Sequence, residues 1–280
     1  MQIISTVAEL RAWSRTARKA GKSVGLVPTM GALHEGHLSL VRAAKAGCET
    51  VVASIFVNPT QFGPNEDFAK YPRTFEADCS MLEAEGVDAV FAPTPEEMYR
   101  PGSATFVEVA GLSDRLDGKS RPGHFRGVAT VVAKLFLAAE PDRAYFGQKD
   151  AAQVAVLRRM TADLNLPLEL VICPIVREPD GLALSSRNRY LTVEERAQAL
   201  ALSQAIRKVE AAVASGERKT EALIALAAAE FAKQPQLRID YIAAVDWATL
   251  LPVEEINPGT LFAVAAWVGH TRLIDNTVFE

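Results

Sequence analysis

This 280-residue sequence has few cysteines, little excess of either charge and no long apolar run. The three cysteines are widely spaced and form no CxxC pair, which argues against a disulfide framework and a thiolate zinc site. The formal net charge is only −4, whereas a general nucleic-acid binder needs clustered Lys and Arg to neutralise a phosphate backbone. We therefore expect a protein of the reducing cytoplasm that binds no nucleic acid.

A membrane-spanning segment is not expected. The longest apolar stretch, residues 128–139, is interrupted by Lys134 and is too short to cross a bilayer. Near the N-terminus, charged residues surround Val7, Leu10 and Trp13, which predicts an amphipathic helix in place of the apolar core of a signal peptide.

Short apolar runs alternate with helix-length periodic segments in the first part of the chain. The apolar runs predict strands at 24–27, 51–57, 89–92, 144–146 and 168–172. The periodic segments predict helices at 37–46, 75–85, 127–138 and 150–164. This alternation predicts an α/β domain with a doubly wound, Rossmann-like parallel sheet.

The character of the chain changes after the polar segment 177–188. Two helical segments, 193–214 and 220–232, precede strand-like runs at 238–245, 261–268 and 272–278. We expect a smaller C-terminal α+β domain, with the domains spanning residues 1–178 and 179–280.

The sequence PTMGALHEGH, residues 28–37, lies where the first predicted strand meets the following helix. In an open parallel sheet, ligands bind beyond the carboxyl ends of the strands, where a helix start offers N–H groups and a positive dipole end. His34 and His37 are three residues apart and can project onto one face to donate hydrogen bonds to phosphate. The segment therefore predicts a phosphate-binding site.

Two other interpretations of this histidine pair are open. A metalloprotease zinc site requires HExxH and a third ligand, whereas these histidines are three apart with a glycine between them. A purely structural pair in a strand-to-helix turn is the second alternative. The chain has only four histidines, and two of them lie in this one turn, which favours ligand binding.

A second polar motif, LSSRNR at residues 184–189, lies between the two predicted domains. Its hydroxyls, backbone N–H groups and guanidiniums suit an anionic ligand. A solvated loop has a similar composition, so this motif alone is weak.

Six segments in order carry a resemblance to a known family. They are PTMGALHEGH, SIFVNPTQFG, YPRT, GHFRGVATVV, FGQKDAAQ and LSSRNRYL. Together they resemble the pantothenate synthetase family of the HxGH nucleotidyltransferase superfamily. The LSSR loop lacks the lysine that the wider superfamily has there, and Lys149 is the candidate replacement.

The resemblance implies an ATP-dependent condensation of pantoate with β-alanine through a pantoyl adenylate, releasing AMP and pyrophosphate. It also implies Mg²⁺ bridging the ATP phosphates, a homodimer, a nucleotide- and pantoate-binding domain at 1–178 and a lid at 179–280. Two rival functions are open: transfer of AMP to a phosphate acceptor, and a regulatory nucleotide-binding module without chemistry.

The resemblance also implies roles for individual residues. It assigns catalysis to His34, His37, Lys149 and Arg187. It assigns ATP binding to the catalytic four and to Met30, Gly31, Ala32, Leu33, Glu35, Gly36, Gly147, Gln148, Asp150, Val176, Leu184, Ser185 and Ser186. It assigns the acid substrate to Gln61, Gln153 and Asn58, because a neutral amide offers donors and an acceptor without a charge.

Three further residues have two interpretations each. The resemblance implies that Asp78 is a Mg²⁺ ligand, and a solvated helix carboxylate is the alternative. His124 and Arg126 are expected to begin a helix. In one interpretation they contact phosphate or a closing lid, and in the other they serve only as the helix start.

Overall fold

The computed structural model describes residues 1–64, 66 and 68–280. It divides into two compact units, the first formed by Met1–Gly147 with Val156–Cys173 and the second by Gln148–Ala155 with Pro174–Glu280. The domain boundary expected after residue 178 stays a prediction. Within the described residues, no helix combines the length and the apolar character needed to cross a bilayer.

A six-stranded parallel sheet forms the centre of the first unit. Its strands are β1 (Gln2–Ile4), β2 (Val24–Thr29), β3 (Thr50–Ile55), β4 (Ala89–Phe91), β5 (Arg143–Gly147) and β6 (Glu169–Cys173). They are ordered β1-β4-β3-β2-β5-β6, which confirms the doubly wound prediction. The direction of winding reverses between β2 and β5, so the carboxyl end of β2 lies at the switch point where such sheets bind ligands.

Helices connect these strands at most of the predicted positions. They are α1 (Val7–Lys19), α2 (Glu35–Gly47), α3 (Phe75–Ala84), α4 (Pro95–Met98), α5 (Asp117–Ser120), α6 (His124–Ala139) and α7 (Ala151–Asp163). The helix predicted from residue 127 begins at His124 because Gly123, with φ of 82°, forms its N-cap. The strand predicted to be the first in the chain is β2 in the structure. Strand β1 precedes it and was not predicted, because its three residues give no periodic signal.

The buried positions of the sheet explain where the site forms. Val27 of β2, Val51 of β3 and Val90 of β4 pack in one cluster with Val41 of α2 and Leu82 of α3. Burial of an aliphatic side chain of this size contributes about 1.5–3 kcal/mol. This packing fixes α2 and α3 beside the carboxyl end of β2.

The second unit has the predicted α+β character. Its elements include α8 (Val193–Ala214), α9 (Thr220–Phe231), β7 (Leu237–Asp246), β8 (Thr260–Val268) and β9 (Thr271–Val278). The strands form an antiparallel sheet in the order β7-β8-β9. Leu202 and Ile206 of α8, Leu223 of α9, and Phe262 and Val264 of β8 lie together in its core.

Candidate active site

The chain leaves β2 through a tight turn that is held by Asp78 of α3. The backbone N–H groups of Ala32 and Leu33 donate to the two Asp78 carboxylate oxygens at 2.9 and 2.8 Å. Thr74 donates its hydroxyl to the same carboxylate at 3.1 Å. Gly31 and Ala32 have φ of 79° and 51°, and a Cβ at Gly31 would lie 2.9 Å from Asp78 Oδ2. The turn therefore requires both the glycine and the carboxylate.

This burial bears on the magnesium prediction for Asp78. The residue is 0% exposed, so the alternative of a solvated helix carboxylate is wrong. Mg²⁺ in proteins usually keeps several waters, and a dry carboxylate already bonded to two backbone N–H groups and a hydroxyl does not fit as its ligand. Across residues 1–64, 66 and 68–280, no group of three or more His, Cys, Asp or Glu side chains could hold a metal ion. The geometry favours Asp78 as the anchor of the turn.

His34 and His37 lie at the start of α2 with ring centroids 4.1 Å apart. His34 is the N-cap residue, and its Nδ1 accepts a hydrogen bond from Gly36 N at 3.2 Å. His37 Nδ1 accepts one from His34 N at 3.3 Å. Because an accepting nitrogen of a neutral imidazole carries no proton, we assign the ring proton to Nε2 in both residues. Each Nε2–H can then donate to an anion at the helix end, where the dipole also favours negative charge.

The side chain of Glu35 faces Arg42 on the same helix. Both guanidinium Nη atoms of Arg42 donate to the Glu35 carboxylate, at 2.5 and 3.0 Å. These hydrogen bonds lower the pKa of Glu35, and the cation offsets the carboxylate charge. The expected contact of Glu35 with ATP therefore depends on its backbone N–H and not on its side chain.

Three residues predicted for substrate or nucleotide binding meet in the first unit. Asn58 is 1% exposed, and its Nδ2 donates to Gln61 Oε1 at 3.0 Å and to Gly127 O at 3.2 Å. Its Oδ1 accepts from the hydroxyl of Tyr99 at 2.8 Å. Gln61 Nε2 in turn donates to Met30 Sδ at 3.2 Å. Asn58 thus orients Gln61, whose amide, among the described residues, donates to the weak thioether acceptor of Met30.

Gly127→Ala is expected to disturb this arrangement. A Cβ at position 127 would lie 2.3 Å from Thr60 O and 2.7 Å from Gln61 Cα, and both atoms belong to the backbone. Overpacking of this kind typically costs about 1–3 kcal/mol, and relief of the clash displaces Gln61. We expect a lower melting temperature and a KM that rises more for the acid substrate than for ATP.

Thermal unfolding and initial-rate kinetics measure both effects. Gly63→Ala is the matched control, because its new Cβ would lie 3.7 Å from Glu66 Cγ in ordinary contact. Equal KM changes for both substrates in Gly127→Ala would contradict the proposed position of Gln61.

His124 is 9% exposed and bonded on both ring nitrogens. Its Nε2 lies 3.0 Å from Arg121 Nη1 and its Nδ1 lies 2.9 Å from Gln61 O. A guanidinium can only donate, so we assign the proton to Nδ1, which donates to the Gln61 carbonyl. Arg121 also pairs with Glu66 at 2.6 Å. This network favours the structural interpretation of His124 over a phosphate contact.

The stability of the protein should depend on pH through His124. Burial, followed by the Arg121 charge, lowers the pKa of His124 from 6.5 to about 4. The unfolded chain therefore binds one more proton between these two pH values. The stability that neutral His124 contributes is fully present above pH 6.5 and is lost as the pH falls towards 4. We expect the free energy of unfolding to fall by up to about 3 kcal/mol more in the wild type than in His124→Gln.

Denaturant unfolding at several pH values across this window measures the difference, since other titrating groups are common to both proteins. Parallel pH profiles for the wild type and His124→Gln would show that the histidine is not held neutral by burial.

Lys149 lies in a 3₁₀ turn, Gln148–Asp150, between β5 and α7. Its Nζ is 3.8 Å from Asp150 Oδ1, and the two side chains are 22% and 49% exposed. Gln153 follows on α7 and is partly exposed. Gly147 ends β5 and belongs to the first unit, whereas the turn and Gln153 belong to the second.

The LSSR loop follows a hairpin of the second unit. Leu184 N donates to Val176 O at 2.9 Å, which places these two predicted ATP-binding residues side by side. Ser185 is the N-cap of the 3₁₀ helix Ser186–Tyr190, and its hydroxyl accepts from Arg187 N at 3.3 Å. The loop is therefore an ordered helix start, and the solvated-linker alternative does not describe it.

Sequence reasoning missed several residues that shape these segments. Thr29 ties the end of β2 to β3 by donating to Ser54 O at 2.6 Å. Arg177 pairs with Asp275, and Asn276 donates to the backbone of the Lys149 turn. The only local signal for Asp275 and Asn276 is that they are adjacent polar residues in strand β9, which also contains Thr271, Arg272 and Thr277.

Comparison with known proteins gives concordant results. The family model described as pantoate-beta-alanine ligase matches residues 2–278. A pantothenate synthetase from Acidobacterium capsulatum is 63% identical to this chain, over 99% of this chain and 97% of its own length. The crystal structure of pantothenate synthetase from Thermus thermophilus has a TM-score of 0.94 at 47% identity and covers 100% of both chains. Pantoate-beta-alanine ligase from Francisella tularensis, complexed with beta-gamma ATP and beta-alanine, has a TM-score of 0.79 at 33% identity, over 99% of this chain and 97% of that one.

Proposed function

Because this chain belongs to the pantoate–β-alanine ligase family, we propose that it joins pantoate to β-alanine with cleavage of ATP to AMP and pyrophosphate. The histidine pair at the start of α2 is the observation that supports this chemistry most strongly. It combines two imidazole donors with a helix end beside the switch point of the parallel sheet.

In the first step, a carboxylate oxygen of pantoate attacks the α-phosphorus of ATP and the bond from that phosphorus to the β-phosphate bridging oxygen breaks. The products are pantoyl adenylate and pyrophosphate. No general base is required, because the carboxylate is already ionised near neutral pH. The enzyme must instead align the two substrates and stabilise the developing charge on the phosphates.

We assign that stabilisation to His34, His37, Lys149 and Arg187. The imidazoles act as Nε2–H donors, Lys149 as a point charge and Arg187 as a planar donor fork. The remaining ATP contacts are assigned to the backbone of 30–37, the 147–150 turn and the 184–186 loop, with Val176 beside the base.

Mg²⁺ is proposed to enter with ATP as part of the substrate. Bound to the phosphate oxygens, it keeps most of its water and spreads the charge of the triphosphate. This assignment agrees with the chemistry of Asp78, whose carboxylate is already bonded to Ala32 N and Leu33 N.

Pantoate recognition is assigned to Gln61 and Gln153, with Asn58 behind Gln61. Asn58 holds the Gln61 oxygen, and the Gln61 Nε2 group, which donates to the weak thioether acceptor Met30 Sδ, can exchange that contact for one to the acid. A neutral amide binds a hydroxyl and a carboxylate without a charge that would hold the acid away from attack.

In the second step, the free amine of β-alanine attacks the acyl carbon, AMP leaves with the bonding electron pair, and the proton that the nitrogen loses passes to solvent. The adenylate is already activated, so no covalent enzyme nucleophile is required. We propose a reducing cytoplasm as the compartment, because Cys48, Cys79 and Cys173 are free thiols.

Product analysis with one component omitted at a time tests the proposed function. ATP, Mg²⁺ and pantoate should give pyrophosphate that remains stoichiometric with enzyme, and β-alanine should then be required for AMP release and turnover. A stable dinucleotide-like product formed on a phosphate acceptor would support the rival AMP transfer instead.

We propose that the protein forms a homodimer through the extended segment 104–108. Val107 N donates to Thr130 Oγ1 at 2.9 Å, and Val107 faces inward, whereas the neighbouring Phe106 and Glu108 are exposed. Phe106 is 46% exposed, with the Arg126 guanidinium 4.0 Å over its ring. Within the described chain, the outward N–H groups of 106 and 108 have no hydrogen-bond partner. An identical segment can pair with it antiparallel about a two-fold axis.

Glu108→Pro is expected to convert the dimer into a monomer, because proline removes one outward N–H and blocks strand pairing. Sedimentation equilibrium measures the mass, with Glu108→Ala as the control that keeps the N–H and stays dimeric. A monomeric wild type would rule out the dimer, and a dimeric proline variant would move the interface elsewhere.

A further inference from the structure

Strand β9 contains two adjacent polar residues that are buried. Asp275 is 1% exposed and Asn276 is 3% exposed, and β9 is an edge strand that pairs with β8. Neither residue has a role in the chemistry proposed above. Successive residues of a strand face opposite sides of the sheet, so the pair can contact two different elements.

Asn276 contacts the turn that contains Lys149. Its Nδ2 donates to Lys149 O at 2.8 Å and to Gln148 O at 3.1 Å. Its Oδ1 accepts a hydrogen bond from Gln148 Nε2 at 3.3 Å. One side-chain amide therefore fixes two consecutive backbone carbonyls, which sets the direction in which the Lys149 side chain leaves the turn.

Asp275 contacts the hairpin that leads into the LSSR loop. Arg177 donates from Nη1 and Nη2 to the two Asp275 oxygens at 2.7 and 3.0 Å, and from Nη1 to Gly181 O at 3.2 Å. Arg177 pairs with Ala183 across the hairpin, two residues before Ser185. A bidentate pair of this kind fixes orientation as well as distance.

We propose that Asp275 and Asn276 are positioning residues for adenylate formation. Asn276 acts through the backbone of Lys149, and Asp275 acts through Arg177 on the loop that bears Ser185, Ser186 and Arg187. The last strand of the chain thereby places two separate groups of phosphate donors in the second unit. This inference rests on the proposed function, because it assigns no chemistry to β9 itself.

A merely structural role for these residues is distinguishable by kinetic coupling. If Asn276 acts through Lys149, its removal has no further effect once the Lys149 ammonium is gone. If it only stabilises the fold, its removal lowers the rate by the same factor in both backgrounds. Asp275 should show the same coupling with Arg187, and independence from Lys149.

The experiment is a pair of double-mutant cycles on pyrophosphate release from ATP and pantoate in a single turnover. Asn276→Ala is expected to lower the rate by about 10²-fold in the wild type, as small misplacements of a catalytic group do. When Asn276→Ala is added to the Lys149→Ala variant, it should lower the rate less than about twofold, as expected for coupled sites. Asp275→Asn should lower the rate in Lys149→Ala as much as in the wild type, and much less in Arg187→Ala. Thr277→Ala is the neighbouring control, since its side chain makes no hydrogen bond within the described chain, and should leave the rate unchanged.

Each outcome decides one question. A wild type that forms no pyrophosphate with pantoate overturns the proposed function. An active wild type whose rate is unaffected by Asn276→Ala, or is lowered equally in both backgrounds, overturns the positioning role alone. Circular dichroism and thermal unfolding check each variant. If Asn276→Ala does not fold, Asn276→Leu keeps the volume without the donors and enters the same cycle.

Discussion

His37→Ala is expected to slow pyrophosphate release from ATP and pantoate by about 10²-fold or more, since one lost transition-state donor typically costs ~3 kcal/mol. His37 is partly exposed at the first turn of α2, so its removal should leave the fold intact. A rapid-quench single turnover measures the chemical step, separate from product release. His270→Ala is the matched control, because it removes an exposed histidine from the turn after β8.

His34 allows the structural and catalytic roles of the pair to be separated. Its ring is the N-cap of α2 as well as a proposed phosphate donor. Asparagine is a good N-cap residue and lacks the Nε2–H group. We therefore expect His34→Asn to unfold close to the wild-type temperature and yet to react as slowly as His34→Ala. Wild-type rates in His34→Asn and His37→Ala would show that the pair is structural.

Lys149→Ala is expected to reduce adenylate formation by about 10²- to 10³-fold, because it removes a full positive charge from the triphosphate. The affinity for pantoate should change little, since the acid is assigned to Gln61 and Gln153. Isothermal titration with each substrate and a single-turnover rate measure this partition. Lys22→Met serves as the control for loss of an exposed lysine.

The opposite result for Lys149 would be informative. If Lys149→Ala still formed the adenylate but no longer bound pantoate, the lysine would lie beside the acid. The departing pyrophosphate would then lack the cation that we propose for it. The serine hydroxyls and Arg187 of the LSSR loop would then have to supply all of that stabilisation in the second unit.

The parallel sheet was predictable because β2 and β3 have buried residues at nearly every position, which gives continuous apolar runs. Helix α8 has the bounds that were predicted for it, Val193–Ala214, and in the structure Thr192 forms a capping box at its start. Strand β1 and helices α4 and α5 were not predictable, since three or four residues give no periodicity.

The motif residues could be recognised, but their local partners could not. Asp78 was expected to be either a metal ligand or solvated, and it is instead the buried acceptor for Ala32 N and Leu33 N, about 45 positions away. Asn276 and Lys149 are 127 positions apart and meet through a side chain and a carbonyl. No local pattern reveals such a contact, because periodicity reports only the face of an element and not its partner.

Transfer of labelled oxygen is the most direct test of the proposed adenylate. Pantoate that carries ¹⁸O in its carboxylate should react with ATP and β-alanine to give AMP with one labelled oxygen on its phosphate, because the attacking carboxylate oxygen stays with phosphorus when the amine takes the acyl group. Mass spectrometry of the AMP, the pyrophosphate and any inorganic phosphate locates the label. Among these three phosphate compounds, label in AMP alone is the predicted result, whereas ADP together with labelled inorganic phosphate would establish an acyl phosphate and contradict the adenylation mechanism.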